Sequence, residues 1–212
     1  MEKLVDDVKK VKKSRASAKI SKRLNDFRKI NNESSKRWFA ELCFCLLTAN
    51  SKAKTALAIE KELGVKGFCE CTEKNLRDCI KKNKHRFHNN KAKYIAEARS
   101  HQNLKKTVNS IITNEGEKSA REWLAKSIRG LGFKEASHFM RNVGFKDVAI
   151  VDRHIVNLLL DYGILEEKPK TISKRIYLSI EDKLARIADC LEMSQAELDL
   201  YLWYMKTGEI LK

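Results

Sequence analysis

A single proline and eight glycines in 212 residues leave this chain few obligatory breaks, and Ala, Leu, Lys and Glu are abundant between them. The expectation is a nearly all-α protein whose helices end at glycines. Long apolar runs are missing too: none approaches the roughly 20 residues that a membrane span requires. The six cysteines, Cys43, Cys45, Cys69, Cys71, Cys79 and Cys190, stand in apolar or mixed helical contexts with no signal peptide before them. Reduced thiols in a soluble, cytoplasmic protein fit that pattern. Two cysteines one residue apart on a helix diverge by about 200°, so Cys43/Cys45 chelate poorly. Cys69/Cys71 would serve only from a loop, and no metal is expected. No internal repeat or low-complexity segment is present.

What the chain has in excess is positive charge. Lysine and arginine number 44 against 28 aspartates and glutamates, a formal charge of +16 spread along the whole length. Such a balance favours a polyanionic partner, nucleic acid first, over a basic surface with no ligand. The length suffices for one large domain or two small ones sharing a core, without disulfides or metals for stability.

Helix boundaries are legible. Lys3 to Ile30 carries apolar residues at the spacing of one broken or two amphipathic helices, and its first half reads as partly disordered. Lys36 to Ala49 leaves almost no polar face and belongs at the centre of a core. Ser51 is positioned to cap a helix from Lys52 to Leu63, with Gly64 as its C′ residue. Thr72 opens another helix. Lys91 to Arg99 forms the next after the loop His85-Arg86-Phe87-His88-Asn89-Asn90. Glu115 to Ile128 and Lys134 to Asn142 flank a Gly-x-Gly turn. The apolar run Val148 to Val151 is extended, Asp152 caps a further helix, and two more follow from Ser173 and Ser194, the latter opening a capping box.

The chemistry concentrates between Ser127 and Asp152. Gly130-Leu131-Gly132 reads as a tight turn between two helices; its glycines permit positive φ and leave amide N–H groups free to bind a phosphate, with Arg129 alongside. Lys134 falls in the first turn of the second helix. Asp152 opens the next helix 18 residues on, after one helix and an extended return that can fold back. An amine and a carboxylate facing one cleft suit attack at an electrophilic sugar carbon, the amine adding and the carboxylate stabilising positive charge. A plainer reading has Lys134 contacting phosphate and Asp152 capping its helix.

The turn, lysine and aspartate at this spacing resemble the helix-hairpin-helix, Gly/Pro, Asp superfamily of base-excision DNA glycosylases. Lys134 to Phe139, Arg141 to Gly144 and Asp152 to Ile155 look like the archaeal-type 8-oxoguanine DNA glycosylase/AP lyases, the Ogg2 group. The likeness extends more loosely from Trp38 to Tyr204. It implies an all-α helix-hairpin-helix glycosylase fold with two helical subdomains: 34–149, containing the hairpin, and 1–33 plus 150–212, with the active-site cleft between them.

It implies a bifunctional enzyme that excises 8-oxoguanine from double-stranded DNA, Lys134 forming a Schiff base, Asp152 assisting at the deoxyribose, and β-elimination following at the abasic site. Arg129, Gly130 and Gly132 would hold the DNA backbone. Asn50, Arg86 and Phe87 would enter the duplex or meet the orphaned base; alternatively Arg86 faces solvent and Phe87 packs in the core. Phe44, Trp203, Met205 and Lys212 would read the base, although core packing accounts equally for Trp203 and Met205. The role of Lys212 rests wholly on the resemblance, since a terminal lysine otherwise reads as a solvated tail. His138 and His154, on the helices flanking the site, are expected to make structural hydrogen bonds. The endonuclease-III-like branch carries four clustered C-terminal cysteines for an iron–sulfur cluster. Here only Cys190 lies in that region, so no cofactor is implied. A monomer is expected. The rival readings are a noncatalytic helix-hairpin-helix DNA-binding module and a glycosylase for another damaged base.

Overall fold

The computed structural model describes residues 1–101 and 103–212, in which every regular element is an α-helix. In chain order these are α1 (Glu2–Lys12), α2 (Ala16–Asn31), α3 (Ser35–Thr48), α4 (Ala53–Glu70), α5 (Glu73–Lys82), α6 (His88–Ala98), α7 (Leu104–Glu115), α8 (Glu117–Ser127), α9 (Phe133–Asn142), α10 (Arg153–Asp161), α11 (Lys174–Cys190) and α12 (Gln195–Thr207). Ser34, Thr72, Asp152, Ser173 and Ser194 each cap the helix that follows with a side-chain oxygen.

Apolar side chains gather in two clusters. The first surrounds α3, in which every residue from Trp38 to Thr48 is buried. Its anchor is Trp38, whose Nε1 donates to the Ile30 carbonyl at 2.9 Å and whose ring meets Phe139 and Phe145 edge-on at 5.9 and 5.8 Å. Helices α4 to α9 pack around it. The second cluster joins Leu4, Val8, Ile20 and Phe27 to the apolar faces of α10, α11 and α12.

The chain passes between the clusters at 148–151: Val148 belongs to the first, Ala149 and Val151 to the second. This extended segment has no strand partner, so side chains satisfy its backbone. Tyr177 donates to the Ala149 carbonyl at 2.7 Å and accepts from Val151 N–H at 3.2 Å, while Glu181 accepts from Ala149 N–H at 2.9 Å. Glu181 also pairs with the fully buried Arg121 of α8, whose guanidinium lies 4.9 Å from the Phe133 ring centroid. One polar clasp therefore ties α8, the start of α9, the connecting segment and α11.

Several boundaries differ from the sequence reading. The first half of the N-terminal segment is a regular helix, because Leu4 and Val8 are completely buried in the second cluster. Lys52, not Ser51, occupies the N-cap of α4, without a side-chain bond. Gly64 takes the positive φ of 58° expected of a C′ residue, yet helical geometry resumes beyond it to Glu70. Helix α6 begins at His88 rather than Lys91, and α7, with only Leu104 and Val108 buried, has no counterpart in the sequence reading.

Candidate active site

Helices α8 and α9 form the expected hairpin, but its two glycines do different work. Gly130 has φ 84°, and a Cβ there would overlap the ring of Tyr94 on α6. Gly132 has φ −89° and ψ −177°, extended backbone that any residue adopts, so of the two glycines only Gly130 uses the positive φ that both permit. It occupies the N-cap of α9 without a side-chain cap, and the N–H groups of Gly132 and Phe133 find no acceptor among the described residues. These donors and the positive helix end suit an anionic oxygen. Arg129 stands beside them, exposed, 5.4 Å from the Tyr94 ring and 3.3 Å from Glu97.

Lys134 follows in the first turn of α9, its side chain 26% exposed and 3.9 Å from Glu135. Asp152 caps α10, one carboxylate oxygen accepting from His154 N–H at 2.8 Å and Ile155 N–H at 3.0 Å. That capping fixes the carboxylate and leaves Oδ2 outside the cap. A third charged group, Asp199, responds to both. Burial raises the pKa of Asp199, on α12, against the pull of its ion-pair partner Arg141; the Asp152 carboxylate raises it further and the Lys134 amine lowers it. Lys134 and Asp152 are thus both within electrostatic reach of one buried carboxylate, although they approach it from different helices.

The C-terminal residue is no solvated tail. Lys212, 10% exposed, folds back so that Nζ binds Glu41 at 2.8 Å and also Glu60, and sits 4.4 Å from the Phe44 ring centroid. Glu41 is completely buried and pairs with Arg37 at 2.6 Å; its other oxygen accepts from Asn142 at 3.1 Å. Asn142 accepts from Arg141, and Arg141 pairs with Asp199. A continuous polar chain therefore runs from Lys212 through Glu41, Asn142 and Arg141 to the buried Asp199.

The family model for 8-oxoguanine DNA glycosylases, of the helix-hairpin-helix kind, matches residues 20–193. The chain belongs to this family. It is 44% identical over 209 residues to the 8-oxoguanine DNA glycosylase/AP lyase of Methanocaldococcus jannaschii, covering 99% of both chains. The enzyme of that name from Korarchaeum cryptofilum is 45% identical, with 99% of this chain and 98% of that one covered. Among solved structures, the M. jannaschii glycosylase/lyase in complex with a 15mer DNA containing 8-oxoguanine superposes with a TM-score of 0.94 at 44% identity, covering 99% of each chain. The 8-oxoguanine DNA glycosylase of Thermotoga maritima gives 0.91 at 33% identity, covering 100% of this chain and 99% of that one.

The remaining site residues of this family member divide into two groups. Phe44 lies under Lys212 and is fully buried, whereas Trp203 is half-buried and meets the His154 ring edge-on at 5.3 Å. The indole N–H of Trp203 is buried without an acceptor among the described residues, and Met205 packs on the second apolar cluster. At the other end of α3, Asn50 is exposed in the left-handed region, φ 58°, which asparagine tolerates. Arg86 and Phe87 are also exposed, with the guanidinium 4.5 Å over the ring, so Phe87 is not in the core.

Sequence reasoning missed the residue that ties the Arg86-Phe87 loop to the last turn of α3. His85 is buried, and its Nε2 lies 2.9 Å from the Leu47 carbonyl, which can only accept. Nε2 therefore donates, leaving Nδ1 to accept from Phe87 N–H at 3.2 Å. Burial lowers the His85 pKa, consistent with this neutral tautomer. A histidine at the head of the His-Arg-Phe loop was the available signal. Lys91 was missed as well: it is 5% exposed, and burial lowers its pKa to about 8, with Glu135 opposing and Lys134 adding to that effect. For His138 the expected structural hydrogen bonds are absent, because packing among Phe44 and its neighbours leaves both ring nitrogens buried and unpaired among the described residues.

Proposed function

We infer that this chain is a bifunctional DNA glycosylase/AP lyase that excises 8-oxoguanine from double-stranded DNA and then cleaves the abasic strand. The carrying observation is that an amine, Lys134, and a carboxylate, Asp152, stand at the starts of successive helices, the first beside a bare helix N-terminus and the second fixed as a cap. Full-length similarity to enzymes named for both activities supports the same reading. In this mechanism the hairpin amides and Arg129 hold the backbone, bringing a flipped nucleotide to Lys134. Neutral Nζ adds at the sugar C1′ as the glycosidic bond breaks; the base leaves with the bonding pair and acquires a proton. One amine proton is then lost and the C1′–O4′ bond breaks, O4′ taking up a proton, which opens the sugar ring and leaves the protonated Schiff base. Removal of a C2′ proton then expels the 3′ oxygen by β-elimination. The Asp152 carboxylate stabilises the positive charge that develops on the sugar.

The two apolar clusters support a division into a central subdomain, 34–149, and a second built from 1–33 and 150–212, with DNA crossing the junction. Asn50, Arg86 and Phe87 are assigned to the duplex, and Phe44, Trp203, Met205 and Lys212 to the base. A monomer acting in the cytoplasm is the accompanying proposal; no helix among the described residues is long and apolar enough to cross a membrane.

Borohydride trapping on an 8-oxoguanine duplex tests the reading. The wild type should yield a covalent adduct that is lost in Lys134→Gln. Asp152→Asn, whose amide oxygen still caps α10, should bind DNA and lose turnover by about a hundredfold or more. A wild type that binds the duplex without forming an adduct would favour the noncatalytic module. An adduct formed only with other lesions would favour a different substrate.

A further inference from the structure

The first two helices carry a concentration of charge that the chemistry above does not use. Between Lys9 and Lys29 stand ten lysines and arginines against one acidic residue, Asp26, while the acids of α1, Glu2, Asp6 and Asp7, all come before Lys9. At helical spacing these cations form stripes. Lys9, Lys12 and Lys13 fall at i, i+3 and i+4 at the end of α1, and Arg15, Lys19 and Lys22 at i, i+4 and i+7 along α2. All six are exposed, and the turn at 13–15 joins the two stripes into one ridge. Ile20 and Phe27 turn the other side of α2 into the second apolar cluster. Asp7 pairs with Lys10 at 2.7 Å and Asp26 with Arg23 at 3.7 Å; the six cations pair with no carboxylate among the described residues. Unpaired like charges set this close repel one another, and a polyanion relieves that repulsion.

The ridge does not face the lesion site. On α12, Asp199 pairs with Arg141 and Trp203 meets the His154 ring; four residues apart, these two share the face turned toward the site. Tyr201, midway between them, points to the opposite face, where its hydroxyl lies 3.1 Å from Ser17 Oγ of α2. Helix α12 therefore stands between the ridge and the chemistry.

The surroundings narrow the partner. A helix that lies on a lipid surface inserts an apolar face, but the apolar residues of α1 and α2 are committed to the core and neither helix exposes a large apolar side chain. Charge without an apolar anchor suits a phosphate backbone. From Arg15 to Lys22 the α2 stripe runs about 10 Å, a length over which a duplex carries about six negative charges. Duplex DNA is stiff over about 150 base pairs, so the duplex seated in the cleft does not turn around α12 to reach the ridge.

We propose, resting on the reading of a duplex-binding enzyme above, that the α1–α2 ridge is a second duplex-binding surface, which takes the phosphates of a DNA segment separate from the one in the lesion cleft. Holding two segments at once lets the protein pass from one to the other without dissociating.

Energy transfer between a donor-labelled and an acceptor-labelled short undamaged duplex reads the bridging directly. At low salt the wild type should bring the two together, and replacing all six cations by glutamine should lower the signal roughly tenfold or more. Single-turnover excision of 8-oxoguanine from a short duplex at saturating enzyme should stay at the wild-type rate in that variant. The two triple variants, Lys9→Gln with Lys12→Gln and Lys13→Gln, and Arg15→Gln with Lys19→Gln and Lys22→Gln, should each lose part of the bridging, and they carry the test if the sixfold variant does not fold. Wild type that brings no duplexes together overturns the proposal. So does undiminished bridging in the variants, which would place the second contact elsewhere, or excision that falls in step with bridging, which would assign the cations to the duplex in the cleft. Wild type that fails to bridge but coats vesicles of phosphatidylserine and phosphatidylcholine would make the ridge a membrane contact instead. Wild type that bridges duplexes yet leaves 8-oxoguanine and abasic strands intact sinks the catalytic reading and leaves the ridge standing.

Discussion

At the scale of single residues, the hairpin glycines make the clearest contrast. Gly130→Ala must hold a side chain at φ 84° and push its Cβ into Tyr94, so a loss of about 1–3 kcal/mol in urea unfolding is expected, with weaker DNA binding. Gly132→Ala has ordinary backbone angles and meets only the tip of the Glu135 carboxylate, at 3.2 Å, so its unfolding midpoint should stay near wild type. Lys91 offers a pH test. Burial holds its folded pKa at about 8, against an ordinary lysine value of 10.5. Between those values the unfolded chain holds a proton that the folded chain lacks, so the lysine's contribution to stability rises with pH. Below about pH 8 the full penalty of burying the charge remains. Lys91→Met should therefore melt higher than wild type at pH 7, with the difference shrinking toward pH 10.5. A pH-independent difference would show that the amine is not the cause.

Elements place what residues supply. The Lys212 side chain reaches α3 and α4 only because α12 ends at Gly208 in the left-handed conformation, φ 70°, and the last four residues turn back across the junction. Glu41 is the centre of this arrangement, bonding Arg37, Lys212 and Asn142 from a fully buried position. Glu41→Leu leaves those partners unmatched, and a destabilisation of about 3–5 kcal/mol is expected in denaturant titration. Little of this was legible beforehand. α3 advertised its burial through an apolar run, but the glutamate within that run gave no sign of whom it would meet. The caps, by contrast, were legible because Thr72, Asp152, Ser173 and Ser194 bond backbone within three residues. His85 ties the Leu47 carbonyl near the end of α3 to the Phe87 backbone across 38 residues of chain, a distance no local pattern reports.

For the whole molecule, the charge of +16 sets how it meets DNA. Each phosphate contact releases condensed counterions, so the logarithm of the affinity should fall linearly with the logarithm of salt concentration. Arg129, exposed at the hairpin, should account for one such contact: Arg129→Gln is expected to flatten that slope by about 0.9 in titrations of a labelled duplex. An unchanged slope would move the backbone contact elsewhere. The clasp of Arg121, Glu181 and Tyr177 fixes the hairpin against the segment leading to Asp152. Its desolvated ion pair is better suited to holding geometry than to adding net stability.

The sequence by itself determined the helical class, the polyanionic partner and the Gly130 to Asp152 unit, because helix propensity, net charge and capping act over a few residues or over the chain as a sum. Tertiary structure decided which distant groups share a site. It seated Lys212 on Glu41, Glu60 and Phe44, tied the His85 loop to the end of α3, and enclosed His138 without a hydrogen-bond partner among the described residues. Those outcomes depend on which helices pack together, and burial there draws a terminal lysine and two histidines, residue types usual at the surface, into the interior.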